Sequence, residues 1–394
     1  MQLDLTIDES AVVPYFQPII SLQSRKIIGY EALGRRLVDG DPVSLGPIFH
    51  DPDIPEADVL RLDRLLRGKA LAKLAKCGNE GLLFLNLRPS WIYNSFSGTG
   101  ASPTIQFIEK YGIDPRRVVI EITENPLTAS EQELADVVTN YQRLGCKIAI
   151  DDVGSGFSPF DRIALIKPDI IKVDFNLMRK SESHQGYLAV LRSYSSLAEQ
   201  IGASLLIEGI ENEHDLFHAL SVGARYVQGF LFAPALPDFL EPDAFEAMLR
   251  QQMSKFADEQ LAKFEEIYAV DRWFLSDVKP NLNFSEGDDA DACIRTFLDR
   301  VPNRCFRIYL CREDGTQISA NYTRGDNGEW LRDESFRGAN WIWRPYFIPN
   351  IVRIKNHAAP TFSQSYTDLE TLKIIRTYSG AVGEGFYLFF DLLV

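Results

Sequence analysis

No apolar run in the 394-residue chain approaches the roughly 18 residues that a membrane span needs. The opening stretch MQLDLTIDES also lacks the basic and apolar regions of a secretory signal, so the expected location is the cytoplasm. Cysteine is sparse: Cys77, Cys146, Cys293, Cys305 and Cys311 are odd in number, scattered and without a CxxC pair. That excludes a disulfide framework and a cysteine zinc site, and leaves reduced, mostly buried thiols. Histidine offers no metal centre either: His214 and His218 stand four apart without a third ligand nearby, as on a helix surface. Basic charge is in deficit, with 41 Lys and Arg against 55 Asp and Glu and a net charge of −14. Such a chain repels polyanions and argues against sequence-independent nucleic-acid binding, so a phosphate-bearing substrate would need metal ions or a local basic contact.

What is present suffices for one large and one small domain, each with its own core. Up to about Ala233, short apolar runs alternate with longer helical stretches. Strands are expected near Val13–Ile20, Lys26–Leu33, Leu82–Leu87, Val118–Ile122, Lys147–Ile150, Ile170–Val173, Ser204–Ile207 and Tyr226–Gln228. Amphipathic helices such as Asp58–Leu74 and Gln132–Leu144 fall between them. Eight strands with a helical coat predict an α/β TIM-type (β/α)8 barrel. The link Leu22–Arg25 is too short for a helical crossover, so the first two strands form an antiparallel hairpin and the barrel starts irregularly. The domain boundaries follow: a barrel over 1–242, a connecting amphipathic helix over 243–279 and a compact α+β module over 280–394. In the module, strands are expected at Phe306–Leu310, Ile374–Thr377 and Phe386–Leu393, with EDGT as a turn.

The residues at the strand ends carry the chemistry: Glu31, Asn86, Glu121, Asp151 with Asp152, Lys172, Glu208 and Gln228. Barrel strands open at their C-terminal rim into the loops that build active sites, so these polar groups converge; Glu31 alone lies inside the hairpin. Taken singly, Glu121 reads equally well as a solvated strand end or a helix cap. Seven such coincidences on seven strands do not. Crowded carboxylates raise one another's pKa unless cations neutralise them, and an oxygen-only set without His or Cys suits Mg²⁺ or Mn²⁺.

These residues also form an ordered series of motifs: YEALGR (Tyr30–Arg35), FLNLRPS (Phe84–Ser90), EITEN (Glu121–Asn125), DDVGSGFS (Asp151–Ser158), IKVD (Ile171–Asp174), EGIE (Glu208–Glu211) and QGF (Gln228–Phe230). The series resembles the EAL-domain cyclic di-GMP phosphodiesterases over Tyr15–Pro234. The resemblance implies that Glu31, Asn86, Glu121 and Asp151 hold one metal, and that Asp151 bridges to a second also held by Asp152. It implies Lys172 as the lysine that orients water, Glu208 as general base, and Arg35, two residues past Leu33, as a phosphate contact. Gln17, Leu33 and Gln228 would meet the substrate, and Glu124 would anchor the DDVGSGFS loop. By the same resemblance the partner is cyclic di-GMP, two Mg²⁺ or Mn²⁺ ions serve the reaction, and Ca²⁺ inhibits it. Val153, Ser155, Pro159 and Ile207 depart from the usual pattern, and none of them is a metal ligand.

In the C-terminal part, NWIWRPYF (Asn340–Phe347) and SQSYTDLET (Ser363–Thr371) resemble PAS- and Cache-like sensor modules, which implies an unknown small-molecule ligand. Arg344 and Asp368 are the pocket candidates, while Trp341, Trp343, Tyr346 and Phe347 read equally as core. The apolar stripe of the connecting helix needs a partner surface, for which a homodimer is one solution. The expected activity is hydrolysis of cyclic di-GMP to pGpG. The alternative is a weak or inactive cyclic di-GMP receptor signalling through its second domain, against which stand the retained Asp152, Lys172, Glu208 and Glu124.

Overall fold

A computed structural model describes residues 8–51, 53–78, 80–87, 102–123, 131–154, 160–325 and 327–394. The chain divides into two compact units, Met1–Ser254 and Lys255–Val394.

The first unit is a closed barrel. Its strands are β1 (Val12–Ser21), β2 (Lys26–Val38), β4 (Leu82–Asn86), β5 (Val118–Thr123), β6 (Lys147–Val153), β7 (Ile170–Val173), β8 (Ser204–Ile207) and β9 (Tyr226–Val227), while β3 (Asp41–Ser44) extends β2 outside the ring. Strand β1 runs antiparallel to both β2 and β9, and the remaining neighbours run parallel, so the irregular start is as expected. Strand β2 outruns its expected end because it folds back on β3 through Asp39 and Gly40, both at positive φ (53° and 95°). Two consecutive left-handed residues make the tight turn that twisted hairpins favour, and the Asp-Gly pair supplies them.

Side-chain alternation then builds the interior. Ile19, Phe84, Val119, Ala149, Ile170 and Leu206 form one buried apolar layer across the barrel. Because successive strand residues face opposite ways, the residue two positions on from each layer member faces the same interior, one step nearer the rim. Those residues are Asn86, Glu121, Asp151, Lys172 and Glu208, with Gln17 reached in the opposite sense along antiparallel β1. The outward set, including Leu83, Ile120, Ile148, Ile171 and Leu205, packs against the helices in the largest core. Expected helices appear as Glu56–Lys76 and Glu131–Leu144.

The second unit is an antiparallel sheet of seven strands: β10 (Cys305–Arg312), β11 (Asn321–Arg324), β12 (Trp330–Asp333), β13 (Thr361–Phe362), β14 (Tyr366–Thr367), β15 (Ile374–Gly383) and β16 (Phe386–Leu393). The three long strands are those expected from the aromatic runs. One face holds Phe347, Ile351 and Ile354 of the helix Phe347–His357 against Tyr309 and Phe389. The other buries Ile267, Val270 and Phe274 against Ile308, Leu388 and Phe390.

Ile267, Val270 and Phe274 come from the helix Glu246–Trp273 and the π turn that follows it. The helix's apolar stripe is buried only near its ends: Leu249 belongs to the barrel core and Ile267 to the second unit, while Leu261 and Phe264 are exposed. Asp368, a pocket candidate in the sequence, is instead buried and locked, with Arg307 donating to both its oxygens at 2.9 and 3.0 Å. Arg344 stacks over Trp343 at 4.5 Å, and Trp343 is exposed rather than core.

Candidate functional site

The barrel mouth draws the rim residues together around Lys172. Its ammonium lies 2.7 Å from Glu121 Oε1, 2.9 Å from Asp151 Oδ1, 2.7 Å from Glu208 Oε1 and 3.7 Å from Glu31 Oε2. Glu31, although within the hairpin, reaches the same mouth: Asn86 Nδ2 donates to Oε1 and Gln228 Nε2 to Oε2, both at 2.8 Å. Gln228 also donates to Gln17 Oε1 at 3.2 Å, so the two glutamines and Glu31 form one hydrogen-bonded wall.

Two glycines let the motif backbones close this wall. A Cβ on Gly229 would stand 2.1 Å from Ile210 O, because Ile210 N donates to Gln228 O and Leu231 N donates back to Ile210 O. Gly209 sits at φ +69° with the Phe175 ring against it, which fixes the turn that follows Glu208.

Burial dominates the electrostatics. It raises the Glu121 carboxyl well above its ordinary value, with Lys172 opposing and Glu31 and Asp151 adding to the rise. Burial likewise raises Asp151 against the pull of Lys172, and pushes Glu208 up to about 8 and Asp152 up to about 6. For Lys172, burial works against the charge, but Asp151, Glu121, Glu208 and Glu31 outweigh it and hold the ammonium protonated.

The donor set fits hard cations. Glu31, Glu121 and Asp151 place one oxygen each within 4.8 Å of one another, as do Asp151, Asp152 and Glu208, and Asp151 is common to both groups. Oε2 of fully buried Glu121 lacks a hydrogen-bond partner, a costly state for a carboxylate that an ion would relieve. Asp152 adopts φ +59°, rare for a non-glycine residue, and its own N–H donates to Asp151 Oδ1 at 3.0 Å. This local strain turns two adjacent carboxylates toward the same space.

Beside the carboxylates opens a cavity of about 230 Å³, bounded by Leu33, Arg35, Asn86, Asp151 and Asp152 among others. Arg35 has no acidic ion-pair partner among the described residues; it donates to Gly34 O and lies over the Tyr15 ring. Burial lowers its pKa from the ordinary value. The lining also includes Asp63 and Arg67, and Arg67 donates both to Asp63 and to Thr104. Sequence reading passed over them, although their spacing of four on one helix is that of an ion pair. Glu124 and positions 155–159 of the glycine-rich loop lie outside the described residues. His218 bonds Ser181 Oγ at 2.7 Å and takes no part in the site.

Comparison with known proteins agrees with this geometry. Residues 2–235 match the EAL domain and residues 239–394 the EAL-domain associated signalling protein domain. The uncharacterized EAL-domain containing protein YkuI of Bacillus subtilis is 35% identical over 396 residues, 99% of this chain and 96% of that one. The crystal structure of YkuI in complex with substrate c-di-GMP and calcium aligns with a TM-score of 0.86, covering 100% of this chain and 98% of that one. The cyclic di-GMP phosphodiesterase RocR of Pseudomonas aeruginosa is 28% identical over 238 residues, 59% of each chain. A manganese/cy-diGMP complex of Klebsiella pneumoniae BlrP1 aligns at 28% identity and a TM-score of 0.51, covering 57% of this chain and 56% of that one. The chain therefore belongs to the EAL domain family and carries an EAL-domain associated signalling protein domain as its C-terminal part.

Proposed function

We propose that the barrel hydrolyses cyclic di-GMP to linear pGpG with Mg²⁺ or Mn²⁺, in the cytoplasm and under the control of the C-terminal domain. The observation that carries this reading is the convergence of Glu31, Glu121, Asp151, Asp152 and Glu208, with Asn86, on one buried rim. Glu31, Asn86, Glu121 and Asp151 would hold one ion, and Asp151 with Asp152 a second. Such ions, when bound, neutralise the rim, polarise a phosphodiester and make water a better nucleophile near neutral pH. Ca²⁺, which favours more and longer oxygen contacts, would occupy the rim while supporting little hydrolysis.

The chain's own groups divide the rest of the work. Arg35, without an acidic ion-pair partner among the described residues and lining the cavity, binds a phosphate through its planar fork. Leu33 offers apolar contact to the dinucleotide, and Gln17 and Gln228 fix the Glu31 wall against which it lies. Glu208, with a carboxyl pushed up to about 8, is suited to take and keep the proton of an attacking water. Lys172, 2.7 Å away, orients that water and stabilises the charged carboxylate that accepts the proton. A homodimer would cover the exposed stripe of the long helix.

Support comes also from the relatives, RocR by its name and YkuI by its complex with c-di-GMP. The test is turnover of cyclic di-GMP by the full chain with Mg²⁺ or Mn²⁺, resolved by nucleotide chromatography against Glu31→Ala. Accumulation of pGpG above that control is expected. Tight binding with no pGpG, even at high Mn²⁺, would replace the enzyme with a receptor.

A further inference from the structure

Lys172 does more in this geometry than border the mouth, because its ammonium contacts every carboxylate of one candidate cation group. Three carboxylates, Glu31, Glu121 and Asp151, could share an ion, and Lys172 Nζ is within ion-pair distance of all three, at 3.7, 2.7 and 2.9 Å. Its side chain is fully buried, so it is a structural member of the rim and not a surface group that swings in from solvent. Ion pairs with Glu121, Asp151 and Glu208 at 2.7–2.9 Å hold Nζ there, at the end of a flexible four-carbon stem. A divalent ion takes carboxylate oxygens at about 2.0–2.1 Å if it is Mg²⁺, so an ion shared by these carboxylates would stand close to the ammonium. Like charges at that separation repel strongly in a buried site. Glu208, whose Oε1 is 2.7 Å from Nζ, offers the ammonium a place to withdraw to without becoming unpaired.

We propose that Lys172 is a resident counter-cation that fills the ion position of the Glu31, Glu121 and Asp151 triad, and that it must retreat toward Glu208 before a divalent ion can bind there. The inference rests on the reading of this rim as a divalent-cation site. It makes the lysine a brake on metal loading: it offsets the carboxylates' negative charge and helps keep the barrel intact without metal, and lowers the affinity for metal in return.

The experiment is a Mn²⁺ titration of the metal-stripped full chain at mildly alkaline pH, with free Mn²⁺ read by its electron paramagnetic resonance signal, for wild type and Lys172→Met. The variant is expected to bind at least about tenfold more tightly and to melt lower than wild type without metal, with Mn²⁺ restoring more of its melting temperature. Equal or weaker binding by a folded variant would overturn the proposal. Uptake by neither protein would sink the metal reading itself, and the proposal with it. Should the variant fail to fold, wild type still decides. Lys172 is the one fully buried lysine among the described residues, so its slowly exchanging ammonium is expected to give a distinct ¹⁵N signal. That signal should shift on Mg²⁺ titration, and an ammonium unmoved at saturating Mg²⁺ would overturn the proposal.

Discussion

The rim is a set of residues kept in states that the fold alone does not favour. Glu208 and Asp152 have carboxyls raised to about 8 and about 6, chiefly by burial, so in the metal-free fold each keeps its proton to a higher pH than in water. A group whose folded pKa is raised stabilises fully below its unfolded value, near pH 4, and loses that contribution as pH climbs through the folded one. The metal-free barrel should therefore weaken between about pH 5 and pH 8.5, whereas a divalent ion binds the charged carboxylates and gains from the same rise. The melting-temperature gain from Mg²⁺ is expected to be several degrees larger at about pH 8.5 than at about pH 5.5; a gain that is equal, or larger in acid, would contradict the assignment. Residue identity at the rim was legible because a strand's two-residue period carries each apolar layer member to a polar one, as Val119 to Glu121 and Ile170 to Lys172. Which carboxylates Lys172 would touch was not legible, since that depends on barrel closure and not on the order of motifs. Asp63 and Arg67 were missed for the opposite reason: a pair four apart on a helix looks like surface decoration until its burial is known.

At the scale of elements, the eight barrel strands followed from their apolar runs, while β3, β11, β12 and the two-residue strands β13 and β14 did not. A strand of two to four residues carries too little alternation to stand out from a loop, and tertiary pairing alone reveals it. The glycines of EGIE and QGF show how a motif can encode an element junction. Gly229 has a negative φ; what it needs is space, because a side chain there would meet the Ile210 backbone, which cannot move like a flexible side chain. Gly229→Ala should thus cost about 1–3 kcal/mol in urea unfolding, the scale of an overpacked contact. It should also weaken Mn²⁺ binding by displacing Gln228 from Glu31. Wild-type stability with unchanged Mn²⁺ affinity would show that the junction is not tight.

Across the whole molecule, a boundary drawn at Pro242 from composition cuts through packing that sequence periodicity cannot assign to one domain or the other. Leu249 is fully buried in the barrel core, and Gln252 Nε2 donates to Glu213 at 2.6 Å, so the barrel unit runs on to Ser254. A fragment ending at Ser254 is expected to exceed one ending at Pro242 by at least about 2 kcal/mol in denaturant unfolding, the lower end of the loss from truncating a buried leucine. Equal stabilities would place the helix start outside the barrel fold. The central claim, that the rim is a hydrolytic site and not a binding site alone, is tested most directly by measuring cyclic di-GMP affinity and pGpG formation together for wild type and Glu208→Gln in Mn²⁺. The account predicts similar affinities, with turnover reduced by about 10²-fold or more in the variant, the scale of losing a general base. Equal pGpG formation by the two proteins, or binding by wild type without any pGpG, would contradict it.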